Sequence, residues 1–134
     1  MAQFVIAYIV TAAVFLCVDF VWLSYASRAF YRPRLGELLA ENPNLTVAAV
    51  FYCVYVVGIV VFAVMPAFAA RSLVMAVASG ALLGLVAYGT YDFTNLATLR
   101  GWPIGVTVVD VSWGIFLTAT AATSGYLALK VLNG

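Results

Sequence analysis

The sequence predicts an all-α membrane protein in which four antiparallel transmembrane helices form a bundle. Hydrophobic residues make up 66% of the 134-residue chain and charged residues only 8%, whereas soluble domains carry about 25% charged residues. Four apolar stretches reach about 20 residues, the length that a helix needs to cross a bilayer. The last two connections are short, so the helices that they join are expected to be antiparallel neighbours.

We expect a single domain, residues 1–134, with helices over about 4–27, 45–65, 72–99 and 103–129. The first helix lacks a basic start and a small-residue cleavage site, so we interpret it as a retained helix and not as a removed signal peptide. Asn44 and Ser72 suit the N-caps of the second and third helices. Pro66 is expected to end the second helix, and Pro103 suits the first position of the fourth.

The connection between the first two helices is the longest, and it contains a short amphipathic segment. Leu35, Leu38 and Leu39 follow the i, i+3, i+4 spacing, with charged residues on the other side. Such a segment is expected to lie in the membrane interface. Pro43 is expected to break it.

Basic residues favour one orientation in the membrane. Four arginines fall in the first and third connections, and only Arg71 and Lys130 fall at the opposite end. Because basic residues concentrate in cytoplasmic loops, both termini are expected outside the cytoplasm. The four arginines are Arg28, Arg32, Arg34 and Arg100.

Three of the five acidic residues lie inside predicted membrane helices. An Asp at the centre of such a helix costs about 2.5–3.5 kcal/mol on insertion scales. Asp19 precedes the end of the first helix by eight residues, Asp92 precedes the end of the third by seven, and Asp110 follows the start of the fourth by seven. At 1.5 Å per residue, all three lie about 10–12 Å from the same membrane face. They are therefore predicted to form one cluster, and carboxyls close together share protons instead of all ionising.

Polar and aromatic residues accompany each aspartate at helical spacing, where side chains lie on one face. Trp N–H and Tyr O–H groups can satisfy a carboxylate without water. These residues are predicted to form a binding or proton-handling site. The alternative is a purely structural role, in which Asp92 pairs with Arg100, Asp19 pairs with Arg28, or the aspartates hold helices together. The predicted ligand- or proton-binding residues are Asp19, Trp22, Tyr88, Tyr91, Asp92, Asn95, Asp110 and Trp113.

Composition argues against several kinds of site. The chain has no histidine, which removes the usual catalytic base and metal ligand, so no catalytic residue, metal ligand or cofactor is predicted. A net charge of +1 without a basic stripe argues against a nucleic-acid partner. Cys17 and Cys53 lie in apolar runs and are expected to be free thiols.

Small residues follow one face of the third helix. Ala76, Gly80 and Gly84 repeat every four residues, a pattern that lets another helix approach closely. We expect this ridge to pack inside the bundle, and a dimer seam is the alternative.

Two blocks, Tyr91-Asp-Phe-Thr-Asn-Leu-Ala97 and Val109-Asp-Val-Ser-Trp-Gly114, resemble a family of small predicted bacterial inner-membrane proteins of unknown function. The Asp19-Phe-Val-Trp22 stretch fits the same family, and the resemblance covers essentially the whole chain. It implies four membrane helices, location in the bacterial inner membrane and no assigned activity. The positions that it carries over are Asp19, Trp22, Tyr91, Asp92, Asn95, Asp110 and Trp113.

Three functions are consistent with these features. The first is a site that binds or transports a small lipophilic or cationic ligand, or a lipid, with proton titration. The second is an accessory or structural subunit of a larger membrane complex. The third is a magnesium-dependent enzyme on a lipid or polyprenyl phosphate, with Arg28, Arg32 and Arg100 contacting phosphate or headgroups. The expected partners are membrane lipids and a homodimer or larger membrane complex.

Overall fold

A computed structural model describes residues 1–133. Four of its helices are long and apolar enough to cross a membrane, and no strand occurs within the described residues, so the predicted all-α membrane fold is confirmed. We call these helices the first to fourth spans, and their bounds are Ala2–Leu38, Leu45–Ala70, Leu73–Thr98 and Ile104–Asn133.

The first span is longer than the sequence predicts. Its α-helix Ala2–Ala26 continues through a π-helical turn, Ser27–Tyr31, into the short helical turns Arg32–Leu35 and Gly36–Leu38. The 25-residue α-helix alone measures about 37 Å, longer than the ~30 Å hydrocarbon layer. The amphipathic segment is thus a continuation of this span: its Leu35 packs in a cluster with Trp102 while its other leucines remain exposed.

The second span corrects one prediction, because Pro66 does not end it. The α-helix Leu45–Ile59 passes through a π-helical turn, Val60–Val64, and continues as Met65–Ala70. A proline inside a regular α-helix lacks a donor and clashes with the carbonyl four residues earlier. Here the wider turn immediately precedes Pro66, which therefore falls at the start of a new α-helical stretch.

The remaining helix ends agree with the sequence to within a few residues. The Val47 N–H donates to Asn44 Oδ1 over 3.1 Å, and the Met75 N–H donates to Ser72 Oγ over 3.0 Å, so both predicted N-caps are confirmed. The third span covers Leu73–Thr98. The fourth covers Ile104–Asn133, one residue after the predicted start, and the Thr107 N–H donates to the Pro103 carbonyl over 3.3 Å.

The third and fourth spans form the tightest seam of the bundle. Gly80 lies against Ala119 and Ala122, and a Cβ added at Gly84 would overlap the carbonyl oxygen of Gly114. The small-residue ridge therefore packs internally, as expected. Close backbone approach of this kind substitutes for the hydrophobic driving force that is missing between helices in lipid.

The first, second and fourth spans enclose the main apolar core. Phe15 and Leu117 are fully buried within it. The Phe15 ring makes edge contacts with Tyr52 and Tyr55 at centroid distances of 5.6 and 5.5 Å. The Tyr55 hydroxyl shares a 2.8 Å hydrogen bond with Thr118 Oγ1, which ties the second span to the fourth.

The second and third spans are in contact along only part of their length. Residues 60–70 of the second span pack on the third, whereas Leu45–Ile59 packs on the first and fourth spans and hardly contacts the third. The gap between them widens toward the end of the bundle that holds Arg28, Arg32, Arg34 and Arg100, which we call the arginine end. This gap leaves the candidate site open on one side.

Candidate functional site

The three membrane aspartates come together inside the bundle, near the arginine end. Asp19 is 6% exposed, Asp92 is fully buried, and Asp110 is half-buried. The Asp92 carboxyl lies within hydrogen-bonding reach of the Asp110 carboxyl. Three separate helices thus deliver their acids to one region, as the depth argument predicts.

The two hydrogen bonds that the aspartates accept come from other spans, and not from the tryptophans of their own D-x-x-W motifs. Trp113 Nε1 donates to Asp19 over 3.0 Å, and the Tyr31 hydroxyl donates to Asp110 over 2.8 Å. Trp22 Nε1 donates to the Tyr31 hydroxyl over 3.3 Å, and the two indoles stack at 4.5 Å. Each indole therefore donates to a group outside its own motif: Trp113 to Asp19 of the first span, and Trp22 to Tyr31 of the same span.

Asp92 has no hydrogen-bond donor for either carboxylate oxygen within residues 1–133. The groups that act on it are its own burial and the Asp110 carboxyl, and no arginine is among them. The alternative of separate ion pairs is therefore wrong for Asp92 with Arg100 and for Asp19 with Arg28. Buried polar atoms normally have partners, so the two oxygens of Asp92 are an exception within the described residues.

The three arginines predicted to contact phosphate stay apart from this cluster. Arg28, Arg32 and Arg100 are all exposed at the surface. Throughout residues 1–133, no three Asp, Glu, Cys or His side chains lie close enough to hold one metal ion. In the same range, both cysteines are free thiols.

The predicted site residues of the third span, Tyr88, Tyr91 and Asn95, differ in how closely they pack near the Asp92–Asp110 pair. Tyr88 is the closest packed: its ring fills the space over Gly114 and meets the Tyr55 ring edge-on at 6.2 Å. Tyr91 is exposed and makes an edge contact with Trp102 at 5.7 Å. Asn95 is half-buried beside Tyr91 and, within the described residues, makes no hydrogen bond to the aspartates.

Sequence reasoning missed Tyr31, which it assigned to the interfacial connection. On a regular helix, the face that holds Asp19, Trp22 and Ala26 would next present residue 30. The π-helical turn adds one residue to the spacing and brings Tyr31 onto that face instead. No sequence pattern marks this turn, so the residue was not detectable from spacing alone.

Tyr52 was also missed, because the second span carries no charge and resembles a scaffold. Its hydroxyl lies close to the Asp19 carboxyl. Tyr52 and Tyr55 are one turn apart, and this tyrosine repeat in an otherwise aliphatic helix is the signal that could have found them.

A cavity of about 430 Å³ lies in the gap between the second and third spans. Five of its lining residues are aromatic, Ala87 and Thr90 complete the wall, and Asp110 contributes the one charged group among the lining residues. Phe51 and Tyr91 are more than half exposed at its mouth, so the cavity opens sideways, toward lipid. The lining residues that matter for its chemistry are Phe51, Tyr52, Tyr55, Tyr88, Tyr91 and Asp110.

Replacing Tyr31 by phenylalanine is expected to lower the free energy of unfolding by about 1–2 kcal/mol. The change removes the only side-chain donor to Asp110 among the described residues and leaves a half-buried carboxyl less satisfied. Reversible unfolding in mixed micelles measures the effect. Tyr25→Phe is the control, because Tyr25 is 71% exposed on the same span. Equal effects of the two variants would show that the Tyr31 hydroxyl is not part of the network.

Four membrane-length helices around a buried carboxyl cluster define a polytopic membrane protein with a polar site at membrane depth. The chain belongs to the family described as Predicted membrane protein (DUF2177), whose model matches residues 4–127. The resemblance seen in the sequence motifs is thereby confirmed at the level of the family. Comparisons with curated proteins and with solved structures found no match.

Proposed function

We propose that this protein binds a small lipophilic or cationic ligand within the bilayer. Binding takes place in exchange for a proton held by the Asp92–Asp110 pair. The observation that carries the proposal is the pair itself. Two carboxyls lie within reach of each other, one fully buried, and within residues 1–133 no arginine or lysine is among the groups that act on Asp92. Ionisable residues at membrane depth are rare, and they commonly belong to ion, substrate or proton pathways.

The chemistry follows from the cost of buried charge. Two adjacent carboxylates without a cation would each incur a desolvation penalty of several kcal/mol and repel each other. Such a pair holds one proton between its members, with one O–H donating to the other carboxylate. A bound positive group can replace that proton, and loss of the ligand allows the proton to return.

The groups that face the pair support this exchange. The first span contributes Asp19 and Tyr31, the second Tyr52, and the third Tyr88 and Tyr91. All are acids or phenols, and none brings a positive charge. A proton or a ligand is therefore the cation that can neutralise the pair.

We place the protein in a bacterial inner membrane with the arginine end in the cytoplasm, because basic residues concentrate on that side. Four helices enclose little volume, so we propose that the carrier works among membrane lipids as a homodimer or within a larger complex. An accessory subunit and a magnesium-dependent lipid enzyme stay as alternatives, and neither gains a specific contact within the described residues.

Infrared spectroscopy of the protein in nanodiscs tests the shared proton. The wild-type protein is expected to show a carboxylic-acid C=O band at neutral pH, which Asp92→Asn removes because the variant no longer has two carboxyls to share a proton. Asp19→Asn is the matched control, since Asp19 is bonded to Trp113 and lies outside the pair. A wild-type spectrum without this band, or a band lost only in Asp19→Asn, would refute the proton exchange.

A further inference from the structure

We propose that the ligand carries an ammonium group on an apolar body and enters sideways from the bilayer, between the second and third spans. This inference rests on the proposed function and specifies its ligand class. The geometry that points to it is the aromatic cavity with Asp110 as its single charged group.

The composition of the cavity wall selects a cation. Five aromatic rings surround the space beside Asp110, and the faces of such rings attract ammonium groups strongly when water is excluded. An anion would be repelled by the carboxyl, and a neutral ligand would bring no charge to compensate it beyond the hydrogen bond from Tyr31. No basic residue lines the cavity to compete for Asp110.

The size of the cavity fits a headgroup with part of its tail. Ligand pockets commonly enclose about 300–1,000 Å³, and this one encloses about 430 Å³. A substituted ammonium group fills only a fraction of that volume. The remainder accommodates an apolar segment against the rings of Tyr55 and Tyr88, which meet edge-on at 6.2 Å.

The route follows from the divergence of the two spans. Leu45–Ile59 hardly contacts the third span, and the exposed rings of Phe51 and Tyr91 flank the opening. A tail attached to the ammonium group can thus remain among acyl chains while the headgroup reaches Asp110. Ligands of this shape are free cationic amphiphiles or the headgroups of choline and ethanolamine lipids, which share the same recognised chemistry.

The test compares two probes on the intact chain in nanodiscs. One probe is dodecyltrimethylammonium, and the other is its neutral isostere with carbon in place of nitrogen. Empty nanodiscs provide the correction for partitioning into lipid. Wild type is expected to bind the cation at least about tenfold more tightly than the isostere, because only the cation gains the carboxyl and the ring faces.

Variants of the lining residues test whether the preference for the cationic probe arises in the cavity. Asp110→Asn is expected to abolish it, and Phe51→Leu with Tyr91→Leu is expected to weaken cation binding several-fold. Phe62→Leu is the matched control, an aromatic residue of the same span that is 67% exposed and outside the cavity. Cation affinity should rise with pH as the shared proton leaves, while binding of the isostere stays constant.

The source of the ammonium group is distinguished by the lipid of the nanodisc. If a lipid headgroup is the natural occupant, phosphatidylcholine discs will compete and weaken probe binding relative to discs of a neutral galactolipid. If a free amphiphile is the occupant, affinity will be equal in both.

The two proposals fail separately. Equal binding of both probes to the wild-type protein overturns the ammonium inference, even if the infrared band persists. A cation preference without the band leaves the ammonium inference standing and overturns the proton exchange. A preference that survives Asp110→Asn places the probe elsewhere and overturns the inference.

Discussion

Replacing Trp113 by alanine is expected to lower the free energy of unfolding by about 3 kcal/mol, the low end of the range for truncating a large aromatic, because Trp113 is only partly buried. The change removes the stacked partner of Trp22 and the N–H that donates to Asp19. The 6%-exposed Asp19 carboxyl would then lose its indole donor. Reversible unfolding in mixed micelles, followed by circular dichroism, measures the difference.

Two further variants separate the parts of this effect. Trp113→Phe keeps a ring against Trp22 but removes the donor, so its cost is expected to be about 1–2 kcal/mol. Phe20→Ala is the control for loss of an aromatic residue, because Phe20 is 73% exposed and lipid can replace its contacts. If Trp113→Ala were no more damaging than Phe20→Ala, the indole pair would not stabilise the bundle.

Replacing Gly84 by alanine is expected to lower the free energy of unfolding by about 3 kcal/mol, at the upper end of the usual cost of overpacking. The added Cβ would meet the backbone of Gly114 and Ile115, which cannot move aside as a flexible side chain can. The third and fourth spans would have to separate along their seam. The same unfolding assay measures this change.

Gly58→Ala is the matched control for Gly84→Ala. A Cβ at Gly58 meets nothing within 4 Å, and the residue lies inside the α-helix Leu45–Ile59. There alanine is expected to stabilise by about 0.5–1 kcal/mol, because it lowers the entropy cost of forming the helix. Two Gly→Ala changes of opposite sign would confirm that contact across the seam, and not helix propensity, determines the cost at Gly84. Equal signs would contradict the close approach.

Hydropathy was sufficient to predict the number of helices, because a bilayer imposes the same length on every span. The convergence of Asp19, Asp92 and Asp110 was also predictable, since the depth of a residue follows from its distance to a helix end. Depth does not depend on how each helix is rotated about its axis. For that reason, it could be derived without knowing any contact between helices.

The pairing of side chains could not be derived in this way. Whether Trp113 donates to Asp110 or to Asp19 depends on the rotation of the fourth span against the first, which small residues and packing determine. The π-helical turns that align Tyr31 and accommodate Pro66 are local changes of pitch without a sequence signature. Rotation and pitch, not length or depth, were the missing information.

Because the second and third spans diverge, lipid would close the open side of the cavity between them. In the proposed arrangement, acyl chains fill the gap when no ligand does, and an incoming ligand displaces a lipid tail. Membranes with stiffer or more crowded acyl chains are therefore expected to change the apparent affinity for the ligand, although no side chain of the protein changes. Measurements in detergent and in bilayers should differ for this reason alone.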